Sequence, residues 1–257
     1  METLLVERRD GVVTVTLNRP EKKNAINDVM WDELIDTFRS ISANTEEDRV
    51  VVVTGAGGAF CSGADISGGA ERTEHGLTHM RHVGDACLAL HSVPQPVIAK
   101  VGGVAAGAGL NLALGCDLVV ASDEARFSEI FARRGLSVDF GGSWVLPRLV
   151  GMHKAKELVL LADIIDAKEA QDIGLVNRVV PAAQLDAFVD DWATRLASGP
   201  PIALSMSKRL LAQSSAVSLA QALEAEAQAQ NVNFNTADMT EAMTAFLDKR
   251  TPQFKGR

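Results

Sequence analysis

The chain has 257 residues, of which 47% are hydrophobic and 23% are charged, so it is long enough and apolar enough to bury a sizeable core. Its formal net charge of −8 argues against a broad nucleic-acid-binding surface, because such surfaces neutralise phosphates with clustered lysine and arginine. No apolar run approaches the roughly 18 residues of a membrane span, and the first residues lack a signal-peptide pattern, so we expect a cytoplasmic protein that does not enter a membrane.

The first two thirds of the chain alternate between strand patterns, loops of small residues and helical patterns. Runs rich in valine and other apolar residues predict buried strands at residues 12–17, 50–53 and 96–101. After Asn27, a suitable N-cap, apolar residues fall at helical spacing, which predicts a crossover helix and therefore parallel strands. Since ligands of open α/β sheets gather beyond the carboxyl ends of the strands, the glycine loops are the candidate binding segments.

After Pro181 the pattern becomes helical and no strand signal returns. Four segments rich in Ala, Leu, Glu and Gln predict helices at residues 185–196, 202–211, 219–231 and 237–247. We therefore predict an α/β core over residues 1–198 that carries binding and catalysis, and an all-helical region over residues 199–257 that packs on other subunits.

Two segments contain more small residues than a turn requires, at residues 59–66 and 103–114. The second runs from a glycine loop into a helical pattern, and the free N–H groups at such a helix start suit an oxyanion site. The glycine runs at residues 55–60 and 107–112 are not dinucleotide fingerprints, because Phe60 and Leu112 stand where the third glycine of G-x-G-x-x-G would be. Three cysteines without C-x-x-C spacing indicate neither disulfides nor a zinc site, and we expect no metal.

The order of these motifs resembles the enoyl-CoA hydratase/isomerase (crotonase) family. The matching residues are 17–20 with 24–25, 62–66, 103–117, 167–179 and 245–250, so the resemblance spans essentially the whole chain. It implies a crotonase-like α/β spiral of strand-strand-helix repeats with an all-helical C-terminal region. It also implies an acyl-CoA substrate, of which coenzyme A is a part so that no separate cofactor is needed, and a homotrimer or a dimer of trimers.

Carried over residue by residue, the resemblance implies that the backbone N–H groups of Ala64 and Ala108 hold the thioester oxygen. Many relatives have glycine at the second position, and the alanine matters only if that backbone needs a positive φ. The residues that match the family's CoA contacts are Ala25, Ser62, Ala64, Asp65 and Ile66, together with Phe246 and Lys249, which commonly reach the nucleotide from a neighbouring subunit. Residues 67–79 correspond to a region that borders the acyl pocket.

The residues that match the family's acids favour isomerisation. Hydratases of the family use two glutamates, and these positions hold Asn111 and Phe131, neither of which can accept a proton. We expect Glu129, two residues before Phe131, to point elsewhere. Asp139 matches the base of several isomerases, and we expect burial to raise its pKa.

The closest resemblance is to 1,2-epoxyphenylacetyl-CoA isomerases, which share the patterns at residues 104–109, 141–144 and 251–254. The sequence therefore predicts an isomerase with Asp139 as its single base and with Asn111, Phe131, Phe140 and Trp144 around the substrate. The alternatives are an enoyl-CoA hydratase, a dehalogenase in which Asp139 is a nucleophile, and a non-catalytic relative that binds acyl-CoA or RNA.

Overall fold

The structure, a computed structural model, describes residues 1–67 and 75–257. The predicted border of the acyl pocket falls partly outside the described residues, since residues 68–74 are not among them. The strands are β1 (Leu4–Arg9), β2 (Val12–Leu17), β3 (Val50–Gly55), β4 (Val97–Val101), β5 (Val104–Ala106), β6 (Leu118–Ser122), β7 (Arg126–Ser128), β8 (Ile165–Asp166) and β9 (Arg178–Val180). The helices are α1 (Asp28–Ala43), α2 (Gly76–His91), α3 (Ala108–Leu114), α4 (Gly142–Leu161), α5 (Ala167–Asp172), α6 (Leu185–Ala197), α7 (Pro201–Gln213), α8 (Leu219–Phe234) and α9 (Ala237–Asp248).

In the described part of the chain, the strands form a six-stranded sheet in the order β1-β2-β3-β4-β6-β9 and a three-stranded sheet in the order β5-β7-β8. From β2 onward the larger sheet is parallel, as the crossover pattern predicted. The chain leaves it after β4 to form β5 and α3, and leaves it again after β6 to form β7 and later α4. These successive strand-strand-helix units are the repeat that the family resemblance implied.

Both faces of the larger sheet are covered, which explains the continuous valine runs. Val51 and Val53 face the main core with α1, whereas Val50 and Val52 face α6. Asn27 caps α1 by accepting a hydrogen bond from the Met30 N–H at 3.0 Å. The apolar stripe of that helix is fully buried, as its helical spacing predicted.

The C-terminal helices lie where the alanine-rich segments predicted them, to within three residues at each end. Helix α7 is tied to the core because the Lys208 ammonium contacts the Asp117 carboxylate at 2.6 Å and donates to the Gln95 carbonyl at 2.9 Å. Large apolar side chains on α8 and α9 are exposed, including Leu219, Phe246 and Leu247. The division at residue 198 and the role of this region in subunit contacts stay predictions.

Two further expectations concern the whole chain. Within residues 1–67 and 75–257, no helix has both the length and the apolar character needed to cross a membrane. Cys61, Cys87 and Cys116 are all buried and form no disulfide with one another.

Candidate active site

Two loops that leave the sheet meet at residues 61–64 and 105–108. The parallel bridge between Cys61 and Ala105 joins them, and a second parallel bridge joins Ala64 of the first loop to Ile26. A side chain on Gly63 would lie 3.0 Å from the Ala106 carbonyl oxygen and 3.7 Å from the Ala108 nitrogen, so glycine permits this approach. The structure therefore brings together the two segments predicted to hold an oxyanion.

The backbone N–H groups of Ala64 and Ala108 have no acceptor within the described residues. On either side of Ala64, the Gly63 carbonyl accepts from Ile26 at 2.9 Å and the Asp65 N–H donates to the Ile26 carbonyl at 2.8 Å. Ala108 is the first residue of α3, where N–H groups lack helical partners. Its own φ is not positive; Gly107, with φ 53°, makes the left-handed turn, so alanine fits at position 108 without strain.

Three of the predicted CoA contacts are grouped around the turn that follows β2. The Asp65 carboxylate accepts from the Ser67 hydroxyl and N–H and pairs with Arg19 at 2.9 Å, and these contacts lower its pKa to about 2. The same guanidinium donates to the Ala25 carbonyl at 2.6 Å. The Ser62 hydroxyl donates to the Lys22 carbonyl at 3.2 Å, and the Ser62 N–H donates to the Lys23 carbonyl at 3.0 Å, so Ser62 lies against the same turn.

The remaining predicted CoA contacts are solvent-facing. Ile66 and Phe246 are 64% and 78% exposed, and Lys249 is the exposed C-cap of α9. Among the described residues, no hydrogen bond or ion pair joins Phe246 or Lys249 to residues 62–66. Their roles stay predictions.

Asn111, in the first turn of α3, forms hydrogen bonds to two segments of the chain that each carry an acidic residue. Its Nδ2 donates to the Asp139 backbone carbonyl at 2.9 Å and to Glu129 Oε2 at 3.4 Å. A side chain on Gly142 would lie 2.4 Å from that Nδ2, so glycine is needed for α4 to begin here. Because Ala108 and Asn111 share one short helix, both acids are held in fixed relation to an oxyanion N–H.

The expectation that Glu129 points elsewhere is wrong. Glu129 is 1% exposed and lies against Asn111. The physical reason is that strand β7 ends at Ser128 and a 3₁₀ helix begins at Ile130, so the side-chain directions of a strand do not apply to Glu129. A carboxylate directly after a buried parallel strand is a sequence signal that would have pointed to it.

The pKa values of the two acids differ. Burial raises the pKa of Glu129 to about 8; the Asn111 hydrogen bond opposes this and the Asp139 charge adds to it. Burial raises the pKa of Asp139 to about 6, in the direction expected. At neutral pH the site therefore holds one protonated and one ionised carboxyl group.

Three buried oxygens of this cluster have no hydrogen-bond partner in the part of the chain that the structure describes: Asn111 Oδ1, Glu129 Oε1 and Asp139 Oδ1. Buried polar atoms are nearly always paired in folded proteins, so such a group indicates atoms of a ligand or of water. The arrangement can therefore polarise a carbonyl at the oxyanion loops and move protons nearby.

The three aromatic rings predicted to line the substrate pocket have different surroundings in the structure. The Phe131 ring lies beside Gly107, with Cζ 3.6 Å from the point where a Gly107 side chain would begin. Phe140 has φ 47° and its ring stacks on buried Trp31 at 5.5 Å, so it supports the Asp139 turn from the core side. Trp144 is 44% exposed and packs on His91 and Arg148. That these rings shape a substrate pocket stays a prediction.

The comparisons with known proteins agree with this geometry. The family model described as enoyl-CoA hydratase/isomerase matches residues 7–257. The chain belongs to the enoyl-CoA hydratase/isomerase family.

Solved structures and characterised relatives of the family extend over the full chain. An enoyl-CoA hydratase from Bacillus anthracis superposes with a TM-score of 0.95 at 34% identity, covering 99% of this chain and 100% of that one, which confirms the predicted crotonase-like fold. The 1,2-epoxyphenylacetyl-CoA isomerase of Escherichia coli (strain K12) is 36% identical and covers 100% of each chain. The short-chain-enoyl-CoA hydratase of Clostridium acetobutylicum is also 36% identical, over 100% of this chain and 99% of its own. Most of the similar relatives have hydratase names, among them a probable enoyl-CoA hydratase of Rhodobacter capsulatus that is 40% identical over 99% of this chain and 98% of its own. Family membership therefore leaves hydratase and isomerase undistinguished for this chain.

Proposed function

We propose that this member of the enoyl-CoA hydratase/isomerase family is an acyl-CoA isomerase in which Asp139 is the base. The observation that carries the proposal is the Asp139 carboxyl group, which is partly buried, has one buried oxygen without a hydrogen-bond partner among the described residues and has a pKa of about 6. A base of that strength is ionised at neutral pH and is much less solvated than an exposed carboxylate. The substrate is a CoA thioester, and coenzyme A enters as part of it.

The reaction begins when the thioester oxygen accepts hydrogen bonds from the Ala64 and Ala108 N–H groups. These donors stabilise negative charge on that oxygen, and one such donor contributes about 3 to 4 kcal/mol to the transition state in well-studied hydrolases. Asp139 removes a proton from C2, and the resulting enolate is protonated two carbons further along. The double bond, or the strained ring of an epoxide substrate, is thereby rearranged without addition of water.

The CoA portion is expected along Ala25, Ser62, Asp65 and Ile66, where the Arg19 to Asp65 ion pair stabilises the loop. Phe246 and Lys249 are expected to reach the nucleotide end from a neighbouring subunit of a homotrimer or a dimer of trimers. Exposure of Phe246 and its neighbours on α9 supports that arrangement, because large apolar side chains otherwise gain by burial.

A side-by-side assay tests the proposal. We expect the purified protein to convert a 3-enoyl-CoA to the 2-enoyl isomer with little hydration of a 2-enoyl-CoA, and Asp139→Asn to lower the isomerisation kcat by roughly 10²- to 10⁴-fold. The matched control is Asp123→Asn, which changes an exposed aspartate. An Asp139→Asn protein that folds and retains near-full isomerase activity would show the assignment of the base to be wrong.

Hydration of a 2-enoyl-CoA is the second candidate, and the position of Glu129 favours it. Two carboxyl groups with different protonation states beside an oxyanion site can activate water at C3 and protonate C2. Efficient hydration in the same assay, with isomerisation much slower, would select this reaction instead.

A further inference from the structure

The hydrogen bonds of Asn111 determine which oxygen of Glu129 carries the proton. The amide atom that faces the Asp139 carbonyl at 2.9 Å must be the nitrogen, because a carbonyl oxygen only accepts. The same nitrogen faces Glu129 Oε2 at 3.4 Å, so Oε2 is an acceptor. In the protonated acid, the hydrogen is therefore on Oε1.

Glu129 Oε1 has no hydrogen-bond partner among residues 1–67 and 75–257, although Glu129 is only 1% exposed. A carboxylic O–H without an acceptor is unusual in a protein interior. Glu129 lies against the Asn111 amide and is close enough to Asp139 for that charge to raise its pKa, and Asn111 is one helical turn from the Ala108 N–H. The free O–H thus belongs to the same small region as the base and the oxyanion donor.

We propose that Glu129 is a second catalytic residue, which donates the proton that the enolate receives at C4. The inference rests on the proposed isomerase function and changes its mechanism from one proton carrier to two. Asp139 then acts only as the base, and the position of Glu129 in this chain differs from both glutamate positions of the family's hydratases.

The step balances as follows for a 3-enoyl-CoA. The C2–H bond breaks, its proton forms an O–H bond on Asp139, and its electron pair makes the C2=C3 double bond through the enolate. The C3=C4 electron pair forms a new C4–H bond with the Glu129 proton, whose O–H bond breaks. The cycle ends with Asp139 protonated and Glu129 ionised, and the site resets when Asp139 gives up its proton to solvent and Glu129 takes one back.

Isotope labelling and one variant test the inference. The probe is 3-hexenoyl-CoA carrying two deuterium atoms at C2. In the wild-type protein we expect a product with deuterium at C2 alone, because the C4 hydrogen comes from Glu129 and not from Asp139. We expect Glu129→Gln, which has the shape of the protonated acid, to lower kcat about 10²-fold with KM unchanged.

The matched control is Glu124→Gln, an exposed glutamate five residues earlier, which we expect to behave as wild type. A wild-type product with deuterium at both C2 and C4 would overturn the inference, as would a Glu129→Gln kcat within tenfold of the control or a loss confined to KM. Those results leave the proposed function intact if Asp139→Asn is inactive. If Asp139→Asn keeps full activity, the proposed function itself fails.

Discussion

Replacing Glu129 with glutamine should change how the stability of the protein depends on pH. The pKa of Glu129 is raised from its ordinary 4.5 to about 8. In the unfolded chain the carboxyl group ionises near the ordinary value, whereas the folded protein keeps its proton up to the raised one. Between the two values the folded state therefore binds more protons, and the free energy of unfolding decreases as the pH rises.

The size of the effect follows from the width of that window. Each pH unit inside it costs about 1.4 kcal/mol of stability, so the Glu129 contribution falls by about 4 kcal/mol between pH 5 and pH 8. Glutamine cannot ionise, and it can keep the contact with Asn111 by rotating its amide. Relative to wild type, the variant should therefore gain about 4 kcal/mol over this range.

Urea unfolding at fixed protein concentration, followed by tryptophan fluorescence at several pH values, measures the difference. Glu124→Gln is the control, since it makes the same change at an exposed side chain. If the Glu129→Gln and wild-type stabilities stay parallel to within about 1 kcal/mol from pH 5 to pH 8, Glu129 is not held as a protonated acid and the reasoning fails.

Three further outcomes are expected. Isomerisation kcat/KM should fall below about pH 6, where Asp139 gains a proton, and above about pH 8, where Glu129 loses one; a profile without the alkaline decline would contradict the role of Glu129. Gly142→Ala places a carbon 2.4 Å from the amide nitrogen that bridges the acids, so urea unfolding should show a loss of about 1 to 3 kcal/mol together with a lower kcat. Gly84→Ala, in open space on α2, should instead gain up to about 1 kcal/mol. Ala108→Pro removes one oxyanion N–H at the first helical position, where proline is tolerated, and should lower kcat by about 10²- to 10³-fold with little change in the thermal midpoint.

The sequence predicted the elements whose pattern is local. Strands β2, β3 and β4 follow from valine-rich runs, and α1 follows from the spacing of Trp31, Leu34 and Phe38 after a polar cap. The oxyanion segments were predictable because only small residues allow two backbones to approach as closely as Gly63 and Ala106 do. In each case the structure is determined by contacts between residues close in sequence or by the size of the side chains.

The placement of the acids was less predictable, because it depends on contacts between segments far apart in sequence. Glu129 is turned inward by the change from strand to 3₁₀ helix and is held by Asn111, eighteen residues earlier. Phe140 is buried because Trp31 of α1 lies under its ring, a contact across more than a hundred residues. Single-sequence patterns report periodicity and size, and neither reveals which distant side chain a loop will meet.

The amide at position 111 explains how the site tolerates two carboxyl groups. By resemblance, hydratases of the family carry a glutamate at this position. A carboxylate there would repel both acids, and that repulsion would raise their pKa values further. Asn111 instead donates to both segments through one nitrogen, lowering the pKa of Glu129 relative to burial alone while leaving Asp139 free to ionise. The amide of Asn111 and the two carboxyl groups of Glu129 and Asp139 are therefore parts of one electrostatic arrangement.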